Sequence, residues 1–189
     1  MMLLISGFRT LLIVLFCTMA LSFGQADAGE VKGSPVLTVA GKITETNRPA
    51  FNELNDVFFN FHKRNFERAF EFDIASLEAI GMQKATINYP GWPRPVSVEG
   101  PFLRDVLAAA GAEGGTVVRI TALDGFTAEL AAADMAEQDW IVAVKADGQY
   151  LGIGGKGPSW VLYARRDGKP ATAEDEERWP WATFLIEVH

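Results

Sequence analysis

The sequence predicts a mixed α+β domain built on an antiparallel or barrel-like sheet, with a few short helices. Three observations lead to this prediction. Short runs rich in β-branched and aromatic residues recur, with turn signals roughly every 8–12 residues. Few segments carry apolar residues at helical spacing. The chain of 189 residues has the length of a single domain, and it shows no internal repeat or linker.

The first 28 residues are predicted to be a secretory signal. Arg9 supplies the positive charge, residues 11–21 form an apolar core, and Ala26-Asp-Ala28 is a small-x-small cleavage site. The apolar run is shorter than the ~20 residues that a membrane-spanning helix needs. An uncleaved membrane anchor is the alternative interpretation. We therefore expect a periplasmic protein whose mature chain begins at Gly29.

The remaining chain is predicted to have a disordered lead-in over residues 29–35, followed by one domain over residues 36–189. Asp124-Gly125 and Asp147-Gly148 are typical hairpin turns. The predicted strands, which alternate or are rich in β-branched residues, are 35–43, 83–89, 116–122, 126–130, 141–145, 159–163 and 181–188.

Four segments favour helix or turn. Residues 52–70 carry phenylalanines and a leucine near helical spacing and are predicted as an amphipathic helix. Residues 72–81 are predicted as a short helix with Asp73 as its N-cap, and a third helix begins near Pro101 and ends at Gly111. The last is a short polar helix or turn at 134–139.

Charge and cysteine content exclude several classes of function. The only cysteine, Cys17, lies in the predicted signal, so the mature chain has no thiolate for a disulfide, an Fe–S cluster or a zinc site. The net charge is −7 with a pI near 4.9. This acidic balance argues against nucleic-acid binding and against an anionic membrane surface.

No catalytic residue or metal ligand stands out. The two histidines, His62 and His189, have no motif around them, and we expect them to be exposed or capping residues. The acidic run Glu174–Glu177 is expected to lie in a solvated loop over residues 167–178.

The sharpest local feature is the glycine-rich loop over residues 152–157, which contains Lys156. Glycines let a backbone approach a ligand and expose N–H donors, and the lysine adds a cation. The loop lacks the strand–loop–helix context of a nucleotide-binding fingerprint. A purely structural turn is the alternative, since Gly and Pro commonly mark turns.

Seven fragments follow one another along the predicted mature chain: Val36–Ile43, Phe72–Ile80, Gly100–Ala112, Ala122–Phe126, Asp147-Gly148, Gly157–Tyr163 and Trp179–Val188. Their order and spacing resemble the oxidoreductase molybdopterin-binding domain family, the sulfite-oxidase type, over nearly all of that chain. The resemblance implies a sulfite-oxidase-like α+β domain with a pterin-cofactor pocket. Relative to the short family members, residues 48–70 look like a helical insertion.

The missing cysteine sets this chain apart from the family's enzymes, in which a cysteine thiolate holds molybdenum. The chain is most similar to short, thiol-free periplasmic members that bind reduced, tetrahydropterin-type pterins without metal. Those members act with membrane-bound cyclic-di-GMP signalling enzymes in attachment and biofilm formation. A non-catalytic role is therefore expected, with a small pterin and the periplasmic domain of a membrane signalling protein as partners, and without molybdenum cofactor.

Two other functions stay open at this point. One is a molybdenum oxidoreductase in which an oxygen ligand, such as Ser159 or Asp124, replaces the thiolate. The other is an adaptor domain whose pocket is vestigial.

A pterin is a flat ring with a donor edge at the 2-amino and N3–H groups and an acceptor at the 4-oxo group, so its site needs an aromatic face and polar groups of both kinds. Trp92 or Trp160 could stack on the ring, and Asp124 could accept from the donor edge. Cationic or backbone groups could hold the oxo edge. The predicted pterin-binding residues are Trp92, Arg94, Asp124, Phe126, Lys156, Gly157, Ser159, Trp160 and Tyr163.

Three phenylalanines of the predicted insertion, Phe58, Phe61 and Phe66, could form a docking surface for a protein partner. The alternative is that they pack on the domain, because apolar residues at helical spacing usually face a core.

Overall fold

The computed structural model describes residues 33–112 and 117–189. The predicted signal peptide and most of the predicted lead-in lie outside these residues. The described elements, in chain order, are β1 Leu37–Gly41, α1 Val57–Phe61, β2 Ala69–Phe72, α2 Ile74–Ile80, β3 Gln83–Ile87, β4 Val96–Gly100, α3 Leu103–Ala109, β5 Val118–Ala122, β6 Thr127–Leu130, α4 Ala132–Glu137, β7 Ile141–Ala143, β8 Lys145–Ala146, β9 Gln149–Tyr150, β10 Trp160–Leu162, α5 Ala173–Glu176 and β11 Thr183–Val188.

The architecture is α+β, as predicted, and consists mainly of sheet with short helices. A five-stranded sheet has the order β2-β1-β11-β5-β6, in which β1 and β11 are parallel and the other neighbours antiparallel. Strands β3-β4-β8-β9 form a second sheet, and β10 pairs with β7. The expectation of a barrel-like sheet was wrong: β2 and β6 are open edges, and the described strands do not close into a barrel.

The five-stranded sheet is covered on both faces. Alternate residues of its strands, such as Val39 and Ile186, belong to the main hydrophobic core. Neighbouring residues of the same strands, including Ala40 and Leu185, join a smaller second cluster with Phe66. Residues 48–68 supply the cover for this second cluster, which ties them to the sheet.

The prediction of a long helix over residues 52–70 was wrong. Only α1, with five residues, is helical there, and β2 already begins at Ala69. Lys63 adopts a φ of 56°, which ends the helix, because a left-handed residue cannot continue a right-handed one. The aromatic spacing instead reflects packing on Phe184, whose ring centroid lies 5.0 Å from that of Phe58.

The other predicted elements are largely confirmed. The N-cap of α2 is Asp73, whose carboxylate accepts a hydrogen bond from the backbone N–H of Ser76. Both predicted hairpin turns connect antiparallel strands, β5 with β6 and β8 with β9. The acidic segment over 167–178 was not a plain solvated loop, because it contains α5 and its Asp175 is buried. In the described part of the chain, no helix is long and apolar enough to span a membrane.

Candidate functional site

An aromatic cluster forms where β10, the segment after α5 and the loop after β3 meet. Trp160 and Trp179 are buried, at 2% and 3% exposure, whereas Trp92 is half-buried. The Trp92 ring centroid lies 5.4 Å from that of Trp160 and 6.1 Å from that of Trp179. Trp92 therefore connects the two buried indoles to the surface of the molecule.

Lys156 covers this cluster. Its Nζ lies 4.2 Å from the Trp160 ring centroid and 5.5 Å from that of Trp92, which is cation–π geometry with both rings. Burial lowers the pKa of Lys156, and the more distant charge of Glu176 partly opposes that shift. Among the described residues no carboxylate lies within ion-pair distance of its Nζ, so the ammonium is held mainly by aromatic faces.

The glycine-rich loop delivers Lys156 to the cluster. The loop follows β9, and the Lys156 carbonyl accepts a hydrogen bond of 2.9 Å from the Ala182 N–H, just before β11. Gly157 is buried, and a Cβ there would collide with the Leu151 carbonyl, so glycine is required at that position. Gly152, by contrast, is exposed with open space around it. Its carbonyl accepts hydrogen bonds from the Gly155 and Gly157 N–H groups, at 3.1 and 3.2 Å, so backbone bonds hold the loop at both ends.

Two hydrogen-bond donors in the cluster are unpartnered. The buried indole N–H groups of Trp160 and Trp179 have no acceptor in the described part of the chain. Buried polar groups are nearly always paired, so two such donors in one cluster call for an explanation. The nearby Trp140 differs, because its indole N–H donates to the Asp134 carbonyl at 3.0 Å.

Ser159 and Tyr163 flank the cluster, but each has its own internal partner. The Ser159 hydroxyl is buried and donates to the Thr183 carbonyl at 2.9 Å. The Tyr163 hydroxyl donates to the carboxylate of Asp175. Burial and then this hydrogen bond raise the pKa of Tyr163 above its ordinary value. Its ring packs edge-on against Trp179, with centroids 5.5 Å apart, and so supports the cluster from behind.

Arg94 shares a loop with Trp92 but is paired elsewhere. Its guanidinium lies 2.7 Å from the Asp147 carboxylate, in the turn between β8 and β9. This hydrogen bond raises the pKa of Arg94 and lowers that of Asp147. Arg94 is exposed, and its ion pair anchors the loop that carries Trp92 to the second sheet.

Asp124 and Phe126 lie on the exposed turn between β5 and β6. The Asp124 carboxylate accepts a hydrogen bond of 2.9 Å from the backbone N–H of Phe126, so it stabilises its own turn. The turn connects to the lysine loop through the backbone, since the Leu123 N–H donates to the Ala182 carbonyl and the Ala182 N–H donates to that of Lys156. The structure therefore brings Trp92, Lys156 and Trp160 together and leaves Asp124 on the neighbouring turn.

Trp179 is the residue that was missing from the predicted site. The signal that could have found it is the Trp179-Pro180 pair, a large aromatic residue in a Pro-flanked segment, where packing in a regular core is not the default. The contact with Trp92 is long-range and depends on the course of the chain after α5. Among the described residues, no group of three or more His, Cys, Asp or Glu side chains could hold a metal ion.

The expectations for the two histidines have mixed outcomes. His62 is the C-cap residue of α1, as expected for a capping histidine, but its Nε2 is buried without a partner among the described residues. Its ring packs on Phe58 and Phe184, with centroids 4.6 and 5.2 Å away. His189 is exposed, as expected.

Comparison with known proteins identifies the fold. No protein-family model and no curated protein sequence matches the chain. Among solved structures it is similar to the sulfane dehydrogenase SoxCD from Paracoccus pantotrophus, with a TM-score of 0.53 and 12% identity. The likeness covers 82% of this chain and 38% of that chain. At this identity it shows the fold alone, a distant sulfite-oxidase-like fold.

Proposed function

We propose that this protein is a non-catalytic pterin-binding protein and that the cluster of Trp92, Trp160 and Lys156 is its site. The observation that carries the proposal is the position of the Lys156 ammonium, 4.2 Å from the Trp160 ring without a carboxylate partner among the described residues. A cation bound mainly to aromatic faces is displaced by a flat ring at lower cost than a cation in an ion pair. The same ammonium can then hold a 4-oxo group.

The pterin ring would stack on the half-buried Trp92, and the Lys156 ammonium would move aside to admit it beside Trp160. Trp160 is only 2% exposed, so the ligand would reach it only after the Lys156 side chain moves aside. Gly157 and Ser159, which precede Trp160 in the chain, would line the site, and Asp124 and Phe126 would have to reach it from the turn between β5 and β6.

The direct test is an anaerobic titration of the exported protein with tetrahydrobiopterin, followed by tryptophan fluorescence. We expect saturable binding that weakens roughly tenfold or more in Trp92→Ala, since removing an aromatic side chain on which a heteroaromatic base stacks costs ~1–3 kcal/mol. Trp181→Ala is the matched control, because Trp181 is 41% exposed and has no ring contact with the cluster. Equal binding by wild type and Trp92→Ala would rule out this site.

Asp124→Asn tests the neighbouring turn. If the Asp124 carboxylate reaches the pterin donor edge, this variant binds more weakly than wild type, while the turn itself keeps an amide oxygen to accept from the Phe126 N–H. Unchanged affinity would confine the site to the aromatic cluster.

Metal analysis of the exported protein separates this proposal from the oxidoreductase alternative. We expect a reduced pterin without molybdenum. Near-stoichiometric molybdenum would instead support an enzyme with an oxygen ligand, for which Ser159 and Asp124 were the candidates. If the exported protein contains neither pterin nor molybdenum and does not bind fresh tetrahydrobiopterin, the result would favour an adaptor with a vestigial pocket.

We propose as part of the same function that the protein acts in the periplasm on a membrane-bound cyclic-di-GMP enzyme. What supports this is the sequence resemblance together with an exposed apolar face on and beside α1. This α1 apolar face consists of Leu54, Val57, Phe58 and Phe61, which are 84%, 64%, 43% and 77% exposed. Contiguous exposed apolar residues often mark an interaction surface. Phe66, which we expected on this surface, is buried at 8% exposure.

The test is photo-crosslinking of the full chain in native membranes, with the captured protein identified by mass spectrometry. We expect a protein that has both a periplasmic domain and a cyclic-di-GMP-synthesising or -degrading domain, and capture should be lost in Phe61→Ser. Val117→Ser is the control, because Val117 is also exposed, at 40%, and lies just before β5, outside both the α1 apolar face and the proposed pterin site. Capture that survives Phe61→Ser and Leu54→Ser would rule out the α1 apolar face.

A further inference from the structure

The unpartnered polar groups of the aromatic cluster are all donors. They are the indole N–H of Trp160 and the indole N–H of Trp179. The Lys156 ammonium, 4.2 Å from the Trp160 ring centroid, is a further donor beside them. Both indole rings contact Trp92, so the two N–H groups belong to one cluster. The hydroxyl of Ser159, the residue before Trp160, already donates to the Thr183 carbonyl. Among the described residues, the free side-chain groups of the cluster are therefore hydrogen-bond donors, one of them positively charged, and none is a free acceptor.

Such an arrangement selects the chemistry of its ligand. A buried donor without a partner costs free energy, and a ligand oxygen that accepts from it recovers that cost. A ligand that places a donor at the same position leaves its own donor and the protein donor unpaired. Sites of this kind therefore discriminate strongly between a ligand with an acceptor there and a ligand with a donor there. The ammonium of Lys156 strengthens the preference for an acceptor.

Building on the proposed pterin site, we infer that Trp160 and Trp179 determine specificity through their indole N–H groups, which recognise the acceptor edge of the ligand at the 4-oxo group. The protein therefore selects 4-oxo pteridines and rejects 4-amino pteridines of the same shape. Trp179 thereby becomes a binding residue in addition to those of the predicted site.

The experiment compares tetrahydrobiopterin with 4-amino-tetrahydrobiopterin, which carries a donor in place of the acceptor. Dissociation constants are measured anaerobically by calorimetry on the exported wild-type protein and on Trp160→Phe and Trp179→Phe. Each substitution removes one N–H and keeps an aromatic ring. Trp140→Phe is the matched control, because it makes the same change at an indole whose N–H already donates to the Asp134 carbonyl.

We expect wild type to bind the 4-oxo ligand at least about tenfold more tightly than the 4-amino ligand, as one or more lost hydrogen bonds predict. The preference should fall to within about threefold in Trp160→Phe or Trp179→Phe, through weaker 4-oxo binding. It should persist in Trp140→Phe. If Trp160→Phe and Trp179→Phe both keep the wild-type preference for the 4-oxo ligand, the inference is overturned but the pterin site is not. If wild type binds neither ligand, the proposed function itself is overturned.

A measurement on the wild-type protein covers the case in which the variants do not fold. The indole ¹H–¹⁵N resonances of Trp160 and Trp179 should move downfield when tetrahydrobiopterin binds, as new hydrogen bonds form, and the Trp140 resonance should stay in place. Tetrahydrobiopterin binding without a shift of either cluster resonance would overturn the inference.

Discussion

Gly100 lies at the end of β4, where the backbone of β7 passes directly over it. A Cβ built there would collide with the Val142 carbonyl and approach the Ala143 Cα to 2.7 Å. The Val142 N–H donates to the Pro101 carbonyl at 2.9 Å, so the close approach is part of the hydrogen-bonded contact between the two sheets. Here a single missing side chain allows two sheets to meet.

We predict that Gly100→Ala lowers the free energy of unfolding by about 1–3 kcal/mol, since an added methyl must displace backbone in a packed core. Gly152→Ala is the control, because Gly152 is exposed with no atom near its Cβ position, and we expect it to change stability by less than about 1 kcal/mol. Urea denaturation of both variants and wild type measures the difference. Equal free energies of unfolding for wild type and Gly100→Ala would show that the two strands can move apart without cost.

At the scale of elements, α2 shows how local signals determine a boundary. The carboxylate of Asp73 accepts hydrogen bonds of 2.7 Å from the backbone N–H groups of Ser76 and Gly33. The first is the N-cap bond of the helix, and the second ties the start of the described chain to it. One side chain thereby organises two segments of the fold.

Asp73→Ala should destabilise the protein by about 1–2 kcal/mol, because it removes the N-cap acceptor of α2. Asp73→Ser should lose less, since a serine hydroxyl can still accept from the Ser76 N–H. Thermal and urea unfolding, followed by circular dichroism, measure both. If the serine variant is as unstable as the alanine variant, capping is not the main role of Asp73.

The segment over residues 48–68 behaves differently, because tertiary contacts determine its conformation. Phe66 packs at 5.2 Å from Phe59 and 6.0 Å from Phe51, and the Arg48 guanidinium lies 4.7 Å from its ring centroid. Arg48 also pairs with Asp56 and Glu71, at 2.6 and 2.7 Å. A buried ring and an arginine network thus help to hold the segment to the sheet.

We expect Phe66→Ala to cost about 3–5 kcal/mol of unfolding free energy, as for a buried phenylalanine. Phe61→Ala should change it by less than about 0.5 kcal/mol, because Phe61 is 77% exposed. Denaturant titrations of the pair provide the measurement. A large loss in Phe61→Ala would mean that the α1 apolar face is part of the core and is not free for a partner.

At the scale of the whole molecule, Asp139 joins three parts of the chain. Arg104 of α3 and Arg166, which follows β10, both donate to its carboxylate, at 2.9 and 2.8 Å. The hydrogen bond from Arg166, and then that from Arg104, lower the pKa of Asp139 from 3.8 to about 2. The three side chains are about half exposed, which limits the energy of this network.

The stabilising effect of Asp139 should depend on pH in a defined direction. Because its folded-state pKa is depressed, the effect is complete above about pH 4 and is lost as pH falls through about 2. The difference in unfolding free energy between wild type and Asp139→Asn should therefore be less than about 1 kcal/mol at neutral pH and disappear once the pH is below about 2. Urea titrations at several pH values test this, and a difference that grows on acidification would contradict it.

The sequence was sufficient for the elements whose signals are local. The N-cap at Asp73, the Asp-Gly hairpin turns and the β-branched strands are each determined by nearby residues, and the structure confirms them. The grouping of Trp92, Lys156 and Trp160 followed from the resemblance and from residue type. The sequence could not show that Tyr163 and Arg94 are paired with Asp175 and Asp147, because those contacts span chain separations of 12 and 53 residues.

By itself, then, the sequence determined an acidic α+β domain whose only cysteine is Cys17, and it located the glycine-rich loop and most of the aromatic residues of the candidate site. Only the tertiary structure decided that the sheets stay open, that residues 52–70 are mostly non-helical, and that Trp179 joins the site. The physical reason is the same for all three. Each depends on residues far apart in the chain, about which local propensity carries no information. They are the closure of a sheet into a barrel, the packing of Phe58 on Phe184 and the contact of Trp179 with Trp92.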